Sequence, residues 1–465
     1  MLTLSEVFRP SDRQLISDRC LHMTSRCLFP LLFVGVLCAQ TSTVSKVVDT
    51  WCAGCHNGKT RSVSGPAIDQ FDAANISGNP AVWARAYREI QAGTMPPVGA
   101  PRPDRATSDS VLRALDQAIG ATAPENTPAA GSEEIAQRLA RLLWGGTPDA
   151  PLLQDAQSGR LSDAAVLEGQ VRRMLADDRA QAFVARFFFP WMGLDKLSSA
   201  DPDKKFFPEY DVSLRDSLAM ETEMFLLSQL RDNRDPVDIW SADYTFLNEQ
   251  LAKHYGVSDV TGPQFRRITL KNPERDGLLG QGSILMVTSR HQHGVDAAYT
   301  SPAARATWIR SHFLGVPNPY AFPGAQPVKP ELPITPQTRT LPTEPCVNCH
   351  RNFFPLGYAL ENFDPIGRWR THDQIGLVDA SGAFVDGTPT NGIVQLRQVL
   401  LERPAAFRST ITEALIIYAV TGSTKPLSGT PETLREARQI LRSAPEPRWS
   451  SIIAAIARTE QPARP

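Results

Sequence analysis

Two Cys-x-x-Cys-His pentapeptides, Cys52-Ala53-Gly54-Cys55-His56 and Cys346-Val347-Asn348-Cys349-His350, constrain this chain more than any other feature. They use every cysteine beyond residue 40. Two thiols three residues apart lie on one helical turn, where both can form thioethers with the vinyls of one haem, and the next residue is a histidine placed to ligate its iron. The pattern predicts two covalent haem c groups. Cys52 and Cys55 would hold the first with His56 on the iron, and Cys346 and Cys349 the second with His350 on the iron. A zinc site built from the four thiols, or a pair of redox dithiols, uses the same cysteines but leaves both adjacent histidines without a role.

Haem is attached to such a motif outside the cytoplasm, and the start of the chain agrees. Residues 28–38 form an apolar run too short to span a bilayer and followed by small or polar residues, so 1–39 read as a signal peptide. Met23 is the alternative start, because Met23-Thr24-Ser25-Arg26 is a compact basic leader. Cleavage after Ala39 removes Cys27 and Cys38, and the bulky Leu37 argues against a lipid anchor at Cys38. The expected location is the periplasm or outer cell surface. A formal net charge of −1 gives no electrostatic reason to bind nucleic acid or an anionic membrane. No segment after the leader is apolar enough to cross a bilayer.

Proline-rich stretches divide the rest into a mainly α-helical chain. Residues 42–120 read as a cytochrome c-like domain, with an amphipathic helix carrying Val82, Trp83, Tyr87 and Ile90. Directly after it comes Gly93-Thr94-Met95-Pro96-Pro97, which sets Met95 in a loop stiffened by two prolines. Met95 is the expected second axial ligand of the first haem, a soft neutral donor that raises the potential and closes the iron to oxygen. A gap-filling core methionine is the structural alternative. Residues 121–132 form a linker and 133–258 a helical domain, whose Leu167, Val171, Met174 and Leu175 share one face, as do Leu214, Leu218 and Phe225. Phe183, Phe187, Phe188 and Phe189, ending in Pro190-Trp191, read as a bundle core. Glu221 and Glu223, two apart, point to different helix faces and do not form a cooperating pair.

The stretches Arg138-Leu-Ala-Arg-Leu-Leu-Trp144, Asp243-Tyr-Thr-Phe-Leu-Asn248 running to Leu251-Ala-Lys-His-Tyr-Gly256, Gly277-Leu-Leu-Gly-Gln-Gly-Ser283 and Pro355-Leu-Gly-Tyr-Ala-Leu-Glu-Asn-Phe-Asp364 resemble successive blocks of the planctomycete-type multidomain cytochrome c proteins. The resemblance covers nearly the whole chain after the leader. It implies an N-terminal cytochrome c domain, helical domains of unknown function, an extracytoplasmic location and a second haem motif in a C-terminal domain; it implies no substrate. One departure is the inserted segment Arg290–Tyr299 before Thr300-Ser301-Pro302.

The second motif belongs to a domain over 264–385, reached through a strap at 317–345 that holds nine prolines and should run extended. Phe353, Phe354, Tyr358 and Phe363 follow it, with Arg368 or Arg370 as a partner for a haem propionate or as a solvated surface charge. Residues 386–460 form a C-terminal helical domain, with Ile411, Leu415 and Tyr418 on one face and Gly422 as its C-cap. No Met-Pro loop follows the second motif. Its distal ligand is expected to be His254, which sits in one of the resembling blocks, with His293 as alternate, ahead of His291, His312, His372 and Met286. An open iron site is the other arrangement.

No phosphate-binding loop, His-Glu-x-x-His or Gly-x-Ser-x-Gly motif is present, and Gly277, Gly280 and Gly282 lack the dinucleotide spacing. Chemistry would therefore run through the haems. The leading expectation is an electron-transfer dihaem cytochrome working with a redox partner protein or electron acceptor. The alternative is a haem oxidoreductase, peroxidase-like, with an open C-terminal haem. A third possibility makes the helical middle a binding or assembly module that carries cytochrome domains.

Overall fold

The computed structural model describes residues 43–59, 66–73, 75–121, 130–289, 300–316, 354–373, 376–426, 429–444 and 446–459. The leader, the proline strap, the inserted segment with His291 and His293, and the second motif with His350 lie outside the described residues. Among the described residues the chain is mainly α-helical, with two two-stranded antiparallel ribbons and no closed sheet. No described helix is long and apolar enough to cross a membrane.

The chain divides into two compact units, Met1–Asn79 with Pro103–Ala118, and Pro80–Arg102 with Ile119–Pro465. In the first, a helical run over 43–47 continues into Val48–Cys52 and buries Val44, Val47 and Val48. The helix Arg105–Ala121 of this unit buries Val111, Ala114 and Leu115, an i, i+3, i+4 stripe.

In the second unit, residues from 133–258, 264–385 and 386–460 all contribute to one apolar cluster. Its helices start where short polar side chains can take an orphan amide: Asp163 accepts from Ala165 and Val166, Asp211 from Leu214, Asn248 from Leu251 and Ser301 from Ala304. The expected face of Leu167, Val171, Met174 and Leu175 is fully buried. The phenylalanine run forms a core as read from sequence: Phe187 stacks on Phe183 at 5.3 Å and on Trp191 at 5.8 Å, and Phe188 meets Trp449 edge-on at 5.6 Å. Pro404–Thr421 ends at Gly422 in the left-handed region, whose amide returns to Tyr418 O.

The Gly277–Ser283 block is glycine-rich because backbones meet there. A Cβ on Gly277 would lie 2.2 Å from Trp240 O, and Gly282 comes so close to Gly367 that a Cβ on the latter would lie 2.6 Å from its Cα.

The helix Pro302–His312 is buried on nearly all sides, and its Arg305 is fully enclosed. The Arg305 guanidinium donates to Leu360 O, to Phe363 O at 2.9 Å, to Ser289 Oγ at 3.3 Å and to Glu361 Oε1 at 3.0 Å. Burial pulls its pKa down to about 10, with Glu361 opposing. Arg305→Met should cost roughly 2–5 kcal/mol, because it strands two buried carbonyls and takes from Glu361 one of its two arginines. Arg305→Lys should recover less than half of that, since one ammonium cannot span the fork. Urea midpoints at unchanged m value measure both.

Candidate functional site

The first motif is wound as a single turn. Cys52 O accepts from Cys55 N at 3.1 Å and from His56 N at 2.9 Å, while Ala53 N returns to Val48 O at 2.8 Å. Cys52 is half-buried, Cys55 is exposed, and no disulfide joins them. The Cys52 thiol faces Val47 O at 3.9 Å, and burial, with Cys55 beside it, pushes its pKa up to about 11. The turn is pinned from behind: His56 O accepts from Ile68 N at 2.8 Å and Asp69 Oδ1 from Gly58 N at 3.1 Å.

Met95 belongs to the larger unit, whereas Cys52, Cys55 and His56 belong to the smaller. The helix Pro80–Gln91 carries Trp83 and Tyr87 buried, and its end is folded back tightly: Thr94 N and Met95 N both donate to Glu89 O, at 3.0 and 3.3 Å. Arg102 holds the loop by donating to Gly93 O at 2.7 Å and to Pro96 O. Met95 itself is half-buried and its peptide bond to Pro96 is cis.

His254 lies in Glu249–Tyr255, with Nε2 2.9 Å from Ile366 O. A carbonyl can only accept, so Nε2 carries the proton; burial lowers the pKa and keeps the ring neutral, which leaves the lone pair on Nδ1. His312 has both ring nitrogens on carbonyls, Nδ1 to Trp308 O at 2.8 Å and Nε2 to Trp191 O at 2.6 Å, so neither faces an open site. Met286 is fully buried in the apolar core, and His372 is exposed with Nδ1 3.1 Å from Thr371 Oγ1. Phe354, Tyr358 and Phe363 are buried, and Phe363 meets Trp369 edge-on at 5.1 Å. Both arginines after them have carboxylate partners: Arg368 pairs with Glu209 and Asp364, and Arg370 with Glu361. Among the described residues no cluster of three or more His, Cys, Asp or Glu could hold a metal ion.

A buried polar network escaped the sequence reading. Glu221 accepts from Thr245 Oγ1 and Tyr255 OH, both at 2.6 Å, and Tyr255 OH accepts from Gly282 N at 2.7 Å. The Arg275 guanidinium covers the Tyr255 ring at 3.9 Å. Thr222 bonds Gln281 and Ser283. Glu223, on another face, is half-buried and bonds Gln181, in line with the expected divergence of the two carboxylates. The only sequence signal for Glu221 was its register with Leu214, Leu218 and Phe225 on a helix buried along most of its length.

Residues 131–257 match the family model PSD4, a protein of unknown function (DUF1592), and residues 275–373 match PSCyt3, a protein of unknown function (DUF1588). The chain carries both domains. They are known from planctomycete multidomain cytochrome c proteins. No curated protein and no solved structure matches the chain. The Glu221 network therefore joins the two domains, with Glu221, Thr222, Thr245 and Tyr255 from PSD4 and Arg275, Gln281, Gly282 and Ser283 from PSCyt3.

Desolvation raises Glu221 from 4.5 to about 7, so the folded state holds a proton that the unfolded chain has released. Its contribution is fully present below pH 4.5 and is lost as pH rises through about 7. Glu221→Gln should flatten this fall by up to about 3 kcal/mol, read from urea midpoints across that window. His312, which burial pulls down to about 4, has the opposite slope but is common to both chains and cancels in the difference.

Proposed function

We propose that the chain is an extracytoplasmic dihaem c-type cytochrome that transfers electrons to or from a partner protein. The observation that carries this reading is the single turn over Cys52–His56 in a chain that also bears PSD4 and PSCyt3. The donor set fits haem better than it fits a thiolate metal site or a redox dithiol. Both of those leave the histidine that directly follows the second cysteine without a role, whereas haem uses it on the iron. A thioether forms as the thiol sulfur bonds one vinyl carbon and its proton goes to the other, which leaves an uncharged sulfur where charge is disfavoured. Cys55, exposed on the same turn, would take the second vinyl.

When bound, haem c supplies one-electron chemistry at iron. The chain's part is to hold it: Cys52 and Cys55 as thioethers, His56 as proximal ligand, Met95 as the second ligand, and Cys346, Cys349 and His350 in the same roles for the second group. His254 is the proposed distal ligand there, through Nδ1, and His293 the alternate.

Intact mass spectrometry of exported protein should give a chain starting near Gln40 plus two haem masses, with no thiol that alkylates freely. Met95→His should keep low-spin iron while lowering one potential by an appreciable part of the ~0.8 V that axial ligands command. An unchanged redox titration would remove Met95 from the iron. Ready carbon monoxide binding by one ferrous haem would favour the oxidoreductase reading instead.

A further inference from the structure

PSD4 and the C-terminal helices line a partly open cavity of about 250 Å³ that the haem reading does not use. Apolar side chains such as Leu142 and Ile456 line part of it, together with Arg138, Arg141, Arg186 and Tyr418; among the described residues no Asp or Glu lines it. Arg138 is already committed, to Ala457 O, Thr459 O and Glu134. Arg141 and Arg186 are exposed and make no ion pair or hydrogen bond among the described residues. A Cβ on Gly145 would lie 1.8 Å from Arg186 Nη1, so that guanidinium lies over the end of Ala140–Trp144, the turn that carries Arg141.

Tyr418 supplies an independent observation. It is 4% exposed, tilts against Phe187 at 5.3 Å, and its hydroxyl has no hydrogen-bond partner among the described residues. The ring is packed away while the hydroxyl oxygen itself keeps contact with solvent in the cavity, where a ligand could reach it. Burial raises its pKa, so it is a neutral donor at physiological pH. A cation at a helix C-terminus would account for Arg141 alone. It does not account for a second guanidinium from Val184–Phe188 and an unused hydroxyl from Pro404–Thr421 facing the same space.

We propose that this cavity binds a small organic anion, a carboxylate or phosphate ester on a compact apolar body, held by Arg141 and Arg186 with the Tyr418 hydroxyl donating to it. Planar guanidinium forks suit such oxygens, and the absence of a lining carboxylate leaves their charge for the ligand.

Isothermal titration of the purified full chain with benzoate, phenyl phosphate and uncharged benzamide, at constant ionic strength, tests this. At least one anion should bind at one per chain, with benzamide roughly tenfold or more weaker. Arg141→Ala and Arg186→Ala should each weaken the anion by roughly tenfold and Tyr418→Phe by a few-fold. Both arginines are exposed, so the melting temperatures of those variants should stay close to that of the parent chain. The proposal is overturned if neither anion binds, or if binding survives unchanged in the Arg141→Ala/Arg186→Ala double variant. Binding of hexaglutamate that benzoate and phenyl phosphate fail to displace would overturn it too, by making the face a dock for acidic protein.

Discussion

The larger unit is tied together by the polar side chains of one buried helix. Pro302–His312 lies inside the apolar core, yet Arg305, Trp308 and His312 bond main-chain groups of two distant segments. Arg305 reaches Leu360 and Phe363, Trp308 Nε1 reaches Met192 O at 2.8 Å, and His312 reaches Trp191 O. Apolar packing alone tolerates sliding of one helix over another. A donor set this dense does not, because each displaced donor would strand a buried carbonyl. The same helix fixes the residues that follow the second motif, since Arg305 holds the turn over 360–363 while Arg370 and Thr300 share Glu361.

A second seam, between PSD4 and PSCyt3, runs on different physics. Among the described residues Glu221 has no ion pair; its oxygens are met by two hydroxyls, and Arg275 approaches by covering Tyr255 and Phe363. The carboxyl is therefore held largely neutral, and the hydroxyl of Tyr255 passes the hydrogen-bond chain on to the Gly282 amide. Glycine at 282 lets PSCyt3 bring its backbone against Leu218 and Tyr255 at this point, which a side chain would prevent. Specificity of the domain contact comes from satisfied polar groups in a dry place, where a partial set would be costly.

How much of this was legible in the sequence follows from the range of each interaction. The amphipathic faces, the phenylalanine core, the divergence of Glu221 from Glu223 and the Gly422 cap were legible, because each depends on residues within a few positions of one another. The turn over Cys52–His56 is likewise local. The partners of Arg368 and Arg370, the burial of Glu221 and the double engagement of His312 were not. Each depends on chain segments brought from far away: Trp191 O is set against His312, and Glu209 against Arg368. Helical periodicity was least informative for Pro302–His312, where Arg305, Arg310 and His312 mimic a solvated face but point into the protein.

Guanidinium groups show how far that misreading goes. In the interior, Arg305 works as a multi-toothed donor to carbonyls, Arg275 donates to Gly280 O, and Arg397 donates to Pro273 O and Asp276 O. Near the Met95 loop, Arg102 closes the turn through Gly93 O and Pro96 O. These arginines take up main-chain oxygens that regular hydrogen bonding does not reach. The charge then matters less than the fork: Lys at these positions would keep the sign and lose the geometry. Arg141 and Arg186 differ from these: both are exposed, and among the described residues neither holds a carbonyl or a carboxylate, so their forks are left to solvent or to a ligand.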